Sequence, residues 1–275
     1  MQNTKTSEVK HKILAHILLW LLALPLLTQA FTACAIKPIT PVATPAAQAP
    51  AADSTTSLTP AIEVRWQSAD TCQMATIQAD DALLQGPCDG GQSAVNFSSD
   101  TPAAAEDFRH LTSTFASFTA ETAVGAVQFT GSGQEQATPA QQRMIAEWSR
   151  WVSDAAVAGR TSAAAQLALA WHREGGIAGF CDDLAVYTYG VAVATSCRGQ
   201  APTDKGRHWL TAEQLAQIYS WVDELGNAEI VQKDPAVADA MSQTLAFRGN
   251  GAHQPSDAQE QAMVDFANRL YAEFD

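Results

Sequence analysis

Residues 181–197, CDDLAVYTYGVAVATSC, decide the fold because they place two cysteines at the ends of a pattern typical of a β-hairpin. Tyr189 and Gly190 stand at the midpoint and are compatible with a turn, and an apolar run lies on each side of them. A hairpin that folds at this midpoint brings its two ends side by side. Cys181 and Cys197 would then reach the Cα separation that a disulfide requires.

The first half of the chain repeats this spacing in Cys72 and Cys88, with Asp80 and Asp81 at the midpoint. The alternative is a zinc site. Neither pair is a CxxC motif, and no histidine stands at ligand spacing beside them, so two local bridges are favoured in an oxidising compartment. Each bridge would stabilise the fold by ~3 kcal/mol, because it closes a loop of about 15 residues.

The repeat extends into two helices and a strand in each half. The apolar positions of the first helix recur as Leu111, Phe115 and Phe118, and as Leu215, Tyr219 and Val222. A strand with a glycine turn follows, as VQFTGSG from Val127 and as LAFRGNG from Leu245. The second helix has Ile145, Trp148 and Val152 in one half, and Met263, Phe266 and Leu270 in the other. Amphipathic spacing accounts for these residues as core.

Capping boxes predict the starts of three helices, at Thr138 with Gln141, Thr211 with Gln214, and Ser256 with Gln259. The sequence therefore predicts an α+β fold of two tandem β-β-β-α-β-α modules. The first covers residues 61–157 and the second residues 167–275. Each is expected to be an antiparallel sheet with its helices on one face.

The N-terminus predicts export. Three lysines precede an uncharged apolar run, residues 13–33, in the order of a secretory signal. Residues 31–34, Phe-Thr-Ala-Cys, resemble the bacterial lipoprotein signal, which implies cleavage before Cys34 and acylation of that cysteine. The alternative is an uncleaved transmembrane anchor, since the run is long enough to span a bilayer. Either way, the rest of the chain would lie outside the cytoplasm.

Residues 34–60 are rich in alanine, proline and threonine and predict a disordered tether between the anchor and the modules. Removing residues 1–33 takes away three lysines and one glutamate, which changes the net charge from −13 to −15. So acidic a chain disfavours nucleic acid and anionic lipid as partners.

The sequence carries no familiar catalytic motif. It has no HExxH, GxSxG, phosphate-binding loop or dinucleotide-binding glycine turn, so we expect no enzyme, no metal and no cofactor. Asp182 and Asp183 are neighbours on a strand and point to opposite faces, so we interpret both as surface acids. By the same reasoning, His172 and Arg173 lie on opposite faces.

The glycines of WHREGGIAGF, residues 171–180, are a feature that the second half has and the first half lacks. Nine residues lie between Trp171 and Cys181, whereas five lie between Trp66 and Cys72, which predicts a loop of four extra residues. Glycines permit a tight turn, and Ile177 would project from it. The alternative is a β-bulge with Ile177 folded back into the core.

The run Arg173-Glu174-Gly175-Gly176-Ile177-Ala178-Gly179, followed by a helix opening at residues 211–215, resembles emfourin, an inhibitor of thermolysin-type metallopeptidases. The resemblance rests on an R-x-G-G-[IF]-A-G motif and implies a module that occupies the cleft of an extracellular protease. The disulfide hairpin, the tandem copy and an insertion from Asn227 to Gln243 depart from that family. The first module lacks the glycines, so the implied activity belongs to the second.

The sequence thus predicts a lipid-anchored extracytoplasmic binding protein that inhibits a secreted metallopeptidase. The predicted binding residues are Trp171, Arg173, Gly175, Gly176, Ile177 and Gly179. A second hypothesis is a cell-envelope module for a polysaccharide, a peptide or a neighbouring protein, with an exposed Trp171 or Trp209 as the contact. A third is a hydrolase, in which His172, His208 or His253 would lie beside a carboxylate and a hydroxyl.

Overall fold

The computed structural model describes residues 60–68, 71–80, 82–96, 102–158, 166–199, 201–233 and 240–274. The predicted signal, Cys34 and all of the predicted tether except Pro60 lie outside these ranges. Within them, no helix is both long and apolar enough to cross a membrane.

The first half contains one six-stranded antiparallel sheet and two helices. Its elements are β1 (Pro60–Ser68), β2 (Thr71–Gln78), β3 (Ala82–Pro87), β4 (Ser93–Asn96), α1 (Pro102–Thr114), β5 (Ala116–Glu121), β6 (Ala126–Ser132) and α2 (Pro139–Ala158). The strand order is β4-β3-β2-β1-β6-β5.

The second half has the same element order. Its elements are β7 (Leu167–Gly175), β8 (Phe180–Tyr187), β9 (Val191–Ser196), β10 (Thr203–Trp209), α3 (Ala212–Glu224), β11 (Ala228–Lys233), β12 (Ser242–Phe247) and α4 (Asp257–Ala272). Its strand order is β10-β9-β8-β7-β12-β11. The α+β class is confirmed, but each half has four strands before its first helix and two after it. The predicted β-β-β-α-β-α order lacked two of these strands.

The strand after the first helix was missed because its apolar residues also fit a helical interval. Phe118 was assigned to a helix, but it lies on β5, where half-buried and exposed residues alternate. Phe115 follows α1 and pairs with Glu135, as Leu225 pairs with His253. Phe115 therefore corresponds to Leu225 and not to Tyr219. In the same way, the expected insertion from Asn227 to Gln243 contains β11, the counterpart of β5.

Both predicted hairpins and both disulfides are confirmed. Cys72 pairs with Cys88 at a Cα–Cα distance of 5.4 Å, and Cys181 pairs with Cys197 at 4.9 Å. Each bridge joins the outer ends of a hairpin, formed by β2 with β3 and by β8 with β9. Two local disulfides indicate an oxidising, extracytoplasmic environment.

The predicted capping boxes are also present. Thr211 accepts a hydrogen bond from the Gln214 backbone amide at the start of α3, and Ser256 does the same for Gln259 at the start of α4. At α2 the Gln141 amide donates to the Thr138 hydroxyl over 3.3 Å. These bonds satisfy backbone donors that the first turn of a helix leaves unpaired.

The two halves share one hydrophobic core, to which α2 contributes on both sides. Trp151 of α2 stacks on Tyr189 of the second half, with ring centroids 4.4 Å apart. Gly190 lies against Met144, and a Cβ at this glycine would clash with the Met144 side chain. Asp107 of α1 accepts hydrogen bonds from Trp148 and from Arg207, which lies on β10 of the other half. The tryptophans and phenylalanines of the helices are core, as predicted.

Candidate binding site at the glycine turn

Trp171 and Trp66 do not occupy equivalent positions. Trp171 pairs with Leu245 on β12, and Val64 pairs with Val127 on β6. Since Leu245 and Val127 begin the matching segments LAFRGNG and VQFTGSG, Trp171 corresponds to Val64. The residue that corresponds to Trp66 is therefore Arg173.

The predicted contact at Trp171 is wrong, because this side chain belongs to the core. It is only 2% exposed, and its indole N–H donates to Gln243 over 3.1 Å. The tilted ring of Tyr271 from α4 lies 5.5 Å away. Trp209, the other predicted contact, is half-buried and stacks on His110 of α1. Trp171 is therefore not the exposed contact that the second hypothesis required, and Trp209 is only partly exposed.

The glycine turn projects into solvent with Ile177 at its tip. Pairing between β7 and β8 ends at Gly175 and Phe180, so residues 176–179 form the loop. The Gly179 amide donates to the Gly176 carbonyl over 2.9 Å, and both glycines have positive φ, as does Gly175. Ile177 is 100% exposed, so the alternative of a bulge with Ile177 in the core is wrong. Glycine is required here because other residues rarely adopt positive φ.

The loop is two residues longer than its counterpart, not four. In the first half, pairing continues to Ser68 and Thr71, which leaves two residues between the strands. In the second half, four residues separate Gly175 from Phe180. The predicted difference of four residues was wrong because it was counted from Trp66 and Trp171, which are not equivalent.

Arg173 lies in the sheet beneath the turn, and its side chain supports the turn but is not part of the projecting loop. Its guanidinium donates to the Asp182 carboxylate over 2.7 and 3.1 Å. The same group lies 4.2 Å from the ring centre of Phe180 and 5.4 Å from that of Tyr271. Phe180 is the first residue after the loop, so Arg173 ties the end of the turn to α4 by an ion pair and by cation–π contacts.

Asp182 is the centre of this buried cluster, and its interpretation as a surface acid is wrong. It is 1% exposed and accepts hydrogen bonds from Arg198 over 2.9 Å and from Tyr271 over 2.8 Å, as well as from Arg173. Burial opposes ionisation of the carboxyl, but these donors outweigh it and lower the pKa of Asp182 to about 2. One signal in the sequence could have found it. Asp182 alternates with Leu184 and Val186, which place it on the inward face.

His172 lies on the opposite, outer face of the sheet, as predicted. Its Nδ1 is 2.8 Å from an Asp183 oxygen, and its Nε2 is 3.6 Å from a Glu174 oxygen. Burial works against the charged ring, but these two carboxylates raise the pKa of His172. Glu174 immediately precedes Gly175, so this contact lies at the base of the turn.

This arrangement has the groups of a metal or hydrolase site but not the geometry. Cys197 lies close to His172 and Asp183, but its sulfur is in the disulfide, which leaves two ligands in this group among the described residues, fewer than a zinc site needs. Thr195 and Thr244 line the same surface. Both nitrogens of His172 face carboxylates, however, and none of the described hydroxyls bonds to the ring. A general base needs one nitrogen directed at the nucleophile.

The outer face around His172 also carries a groove of about 460 Å³. Ala170, Ala185 and Ala246 form its floor, and Val231 lies at one end with 70% of its surface exposed. We call this surface the alanine groove. Its volume is in the range of small-molecule and peptide sites.

No protein-family model, curated protein or solved structure matches the chain. The contacts of the turn and of the alanine groove are therefore the basis on which a function can be assigned.

Proposed function

We propose that the chain is an extracytoplasmic, lipid-anchored binding protein that inhibits a thermolysin-type metallopeptidase through the glycine turn of its second half. The observation that carries this proposal is the complete exposure of Ile177 at the tip of an ordered turn. Transfer of this side chain from water into an apolar pocket would stabilise a complex by about 1.5–3 kcal/mol. A concave apolar pocket in an enzyme cleft would cover it.

The contacts beneath the turn support inhibition because they fix its shape before binding. Arg173 and Asp182 hold one side, and the Cys181–Cys197 bridge holds the strand that leaves the loop. A loop that is already ordered loses less conformational entropy when it binds. The buried charges and the disulfide therefore favour a recognition turn over a simple connection.

The identical strand order of the two halves supports their origin as two copies of one module. In this proposal the first copy is a structural partner, since its β1–β2 turn is shorter and it contributes α2 to the shared core. Acylation at Cys34 would anchor the chain to the membrane. A tether over residues 34–60 would hold both copies away from the membrane surface.

The test is hydrolysis of a chromogenic protein substrate by thermolysin in the presence of the full chain. The unmodified chain is expected to slow hydrolysis at micromolar concentration. Ile177→Ser is expected to weaken inhibition at least about tenfold, which corresponds to about 1.4 kcal/mol of lost binding energy. Val231→Ser is the matched control, because it removes an aliphatic side chain that is also largely exposed and lies away from the turn. No inhibition at high excess, or equal effects of the two substitutions, would contradict the proposal.

A second candidate function, a binding module for an extended ligand of the cell envelope, is favoured by the alanine groove alone. A chain that binds an extended ligand in the groove but does not slow thermolysin would favour this candidate over inhibition.

A further inference from the structure

The outer faces of the two sheets differ at equivalent positions. Across the second sheet, one row of paired residues runs from Glu229 through Ala246, Ala170, Ala185 and Val193 to Arg207, whose guanidinium donates to Asp107. Across the first sheet, the matching row consists of Thr119, Gln128, Glu63, Thr76, Leu84 and Ala94. The row of the second sheet is thus apolar at the four positions between its charged ends, whereas the same four positions of the first sheet are polar except for Leu84. A solvent-facing sheet needs polar side chains, so the first sheet is the ordinary case.

The short side chains of the alanines make a groove that crosses the strands. It spans β11, β12, β7, β8 and β9, which are four inter-strand steps of about 4.8 Å each. The resulting length of about 19 Å matches roughly six residues of extended chain at about 3.3 Å per residue. The neighbouring row, which includes Val231, Thr244, His172 and Asp183, forms one side of it.

The charges around the groove select the ligand. Glu229 closes the β11 end of the row, and none of the described residues forms a hydrogen bond or an ion pair with its carboxylate. Asp183 lies in the neighbouring row, and among the described residues its hydrogen-bond partner is His172. The chain as a whole carries a net charge of −13, which disfavours a second copy of itself as the occupant.

We propose that the alanine groove binds an extended peptide segment with small aliphatic side chains and a basic residue at one end, the basic residue pairing with Glu229. The aliphatic side chains of the peptide contact Ala170, Ala185 and Ala246, whose methyl groups leave room for them. This site is separate from the tip of the glycine turn and does not depend on protease inhibition.

The probe is a fluorescein-labelled hexapeptide of alternating alanine and valine that ends in lysine, and binding is measured by fluorescence anisotropy with the full chain in nanodiscs. Ala170→Trp fills the centre of the groove and is expected to weaken binding at least about tenfold. Its matched control is Glu63→Trp, at the equivalent position of the first sheet, which is expected to leave binding unchanged. Thermal unfolding of each variant checks that the sheet is intact.

The role of charge is tested in the same assay. Glu229→Lys, or a probe that ends in glutamate, is expected to reduce binding several-fold, whereas Thr119→Lys on the first sheet has no effect. The proposal is overturned if both probes bind equally or if Ala170→Trp binds as well as the unmodified chain. It also fails if sedimentation shows a dimer that blocks binding of the probe peptide. A further contradicting outcome is that a chain lacking residues 35–54 binds the probe peptide and the full chain does not, because the chain's own N-terminal segment is then the occupant.

Discussion

The β1–β2 and β7–β8 hairpins have the same backbone pairing but carry side chains of different chemistry on their inner face. In the first, Trp66 lies opposite Gln73, and Trp66 is buried. In the second, Arg173 lies opposite Asp182 at the equivalent positions, and both belong to a network that reaches α4. A single large apolar side chain supports the short turn, whereas a paired charge cluster supports the long one.

The difference shows why a charge pair is useful beneath a projecting loop. A planar guanidinium can bond to a carboxylate and lie against Phe180 and Tyr271 at the same time, so it connects three elements. An apolar side chain packs equally well but fixes fewer directions. Because a buried charge without its partner is costly, this network should be the most sensitive point of the second half.

The largest expected effect follows from removing the carboxylate. Asp182→Asn leaves Arg173 partly buried without its counter-ion and should lower the free energy of unfolding by about 3–5 kcal/mol. Urea denaturation followed by tryptophan fluorescence measures this change. Asp183→Asn is the matched control on the outer face, where half of the carboxylate is exposed, and should cost less than about 1 kcal/mol. Similar losses for the two variants would mean that the inner network contributes no special stability.

The local features of the disulfide hairpin and of the glycine turn were predictable from sequence, whereas the network around Asp182 was not. The spacing of Cys181 and Cys197 and the midpoint turn predicted β8, β9 and the disulfide, and the glycines of residues 175–179 predicted the loop. The partners of Asp182 come from other elements, and Tyr271 is 89 positions away. Contacts over such separations depend on the packing of α4 against the sheet, which no local pattern reveals.

Register was the second limit. The two tryptophans suggested an alignment of Trp66 with Trp171, but strand pairing places Val64 at the position of Trp171. A shift of two residues keeps every side chain on the same face of the sheet. The alternation of buried and exposed positions therefore fits both alignments equally well. The pairing with β6 and β12, and with the cysteine-bearing strands β2 and β8, distinguishes the two alignments.

A smaller effect is expected from pH. The pKa of Asp182 is lowered in the folded state to about 2, against about 3.9 in an unfolded chain. The stability that this group contributes is therefore present above the unfolded value and is lost as the pH falls through the folded value. The loss should reach about 2–3 kcal/mol between pH 5 and pH 2. Denaturation of the unmodified chain and of Asp182→Asn across this range measures it as the narrowing gap between them. A constant gap would contradict the assignment.

The smallest effect concerns the backbone of the turn itself. Gly179 has a φ of +62° and open space where a Cβ would lie, so Gly179→Ala tests conformational strain without a steric clash. The strain should cost about 1–2 kcal/mol, and part of it should appear as weaker inhibition, because the turn can relax by moving Ile177.

Gly91 is the matched control in the first half, since it also faces open space and has no positive φ, and Gly91→Ala should change stability by less than about 0.5 kcal/mol. Gly179→Asn should recover part of the loss, because asparagine tolerates this conformation better than alanine. If alanine at position 179 were as well tolerated as at position 91, the turn would be too mobile to hold Ile177 in place, and a preorganised recognition loop would no longer explain its glycines.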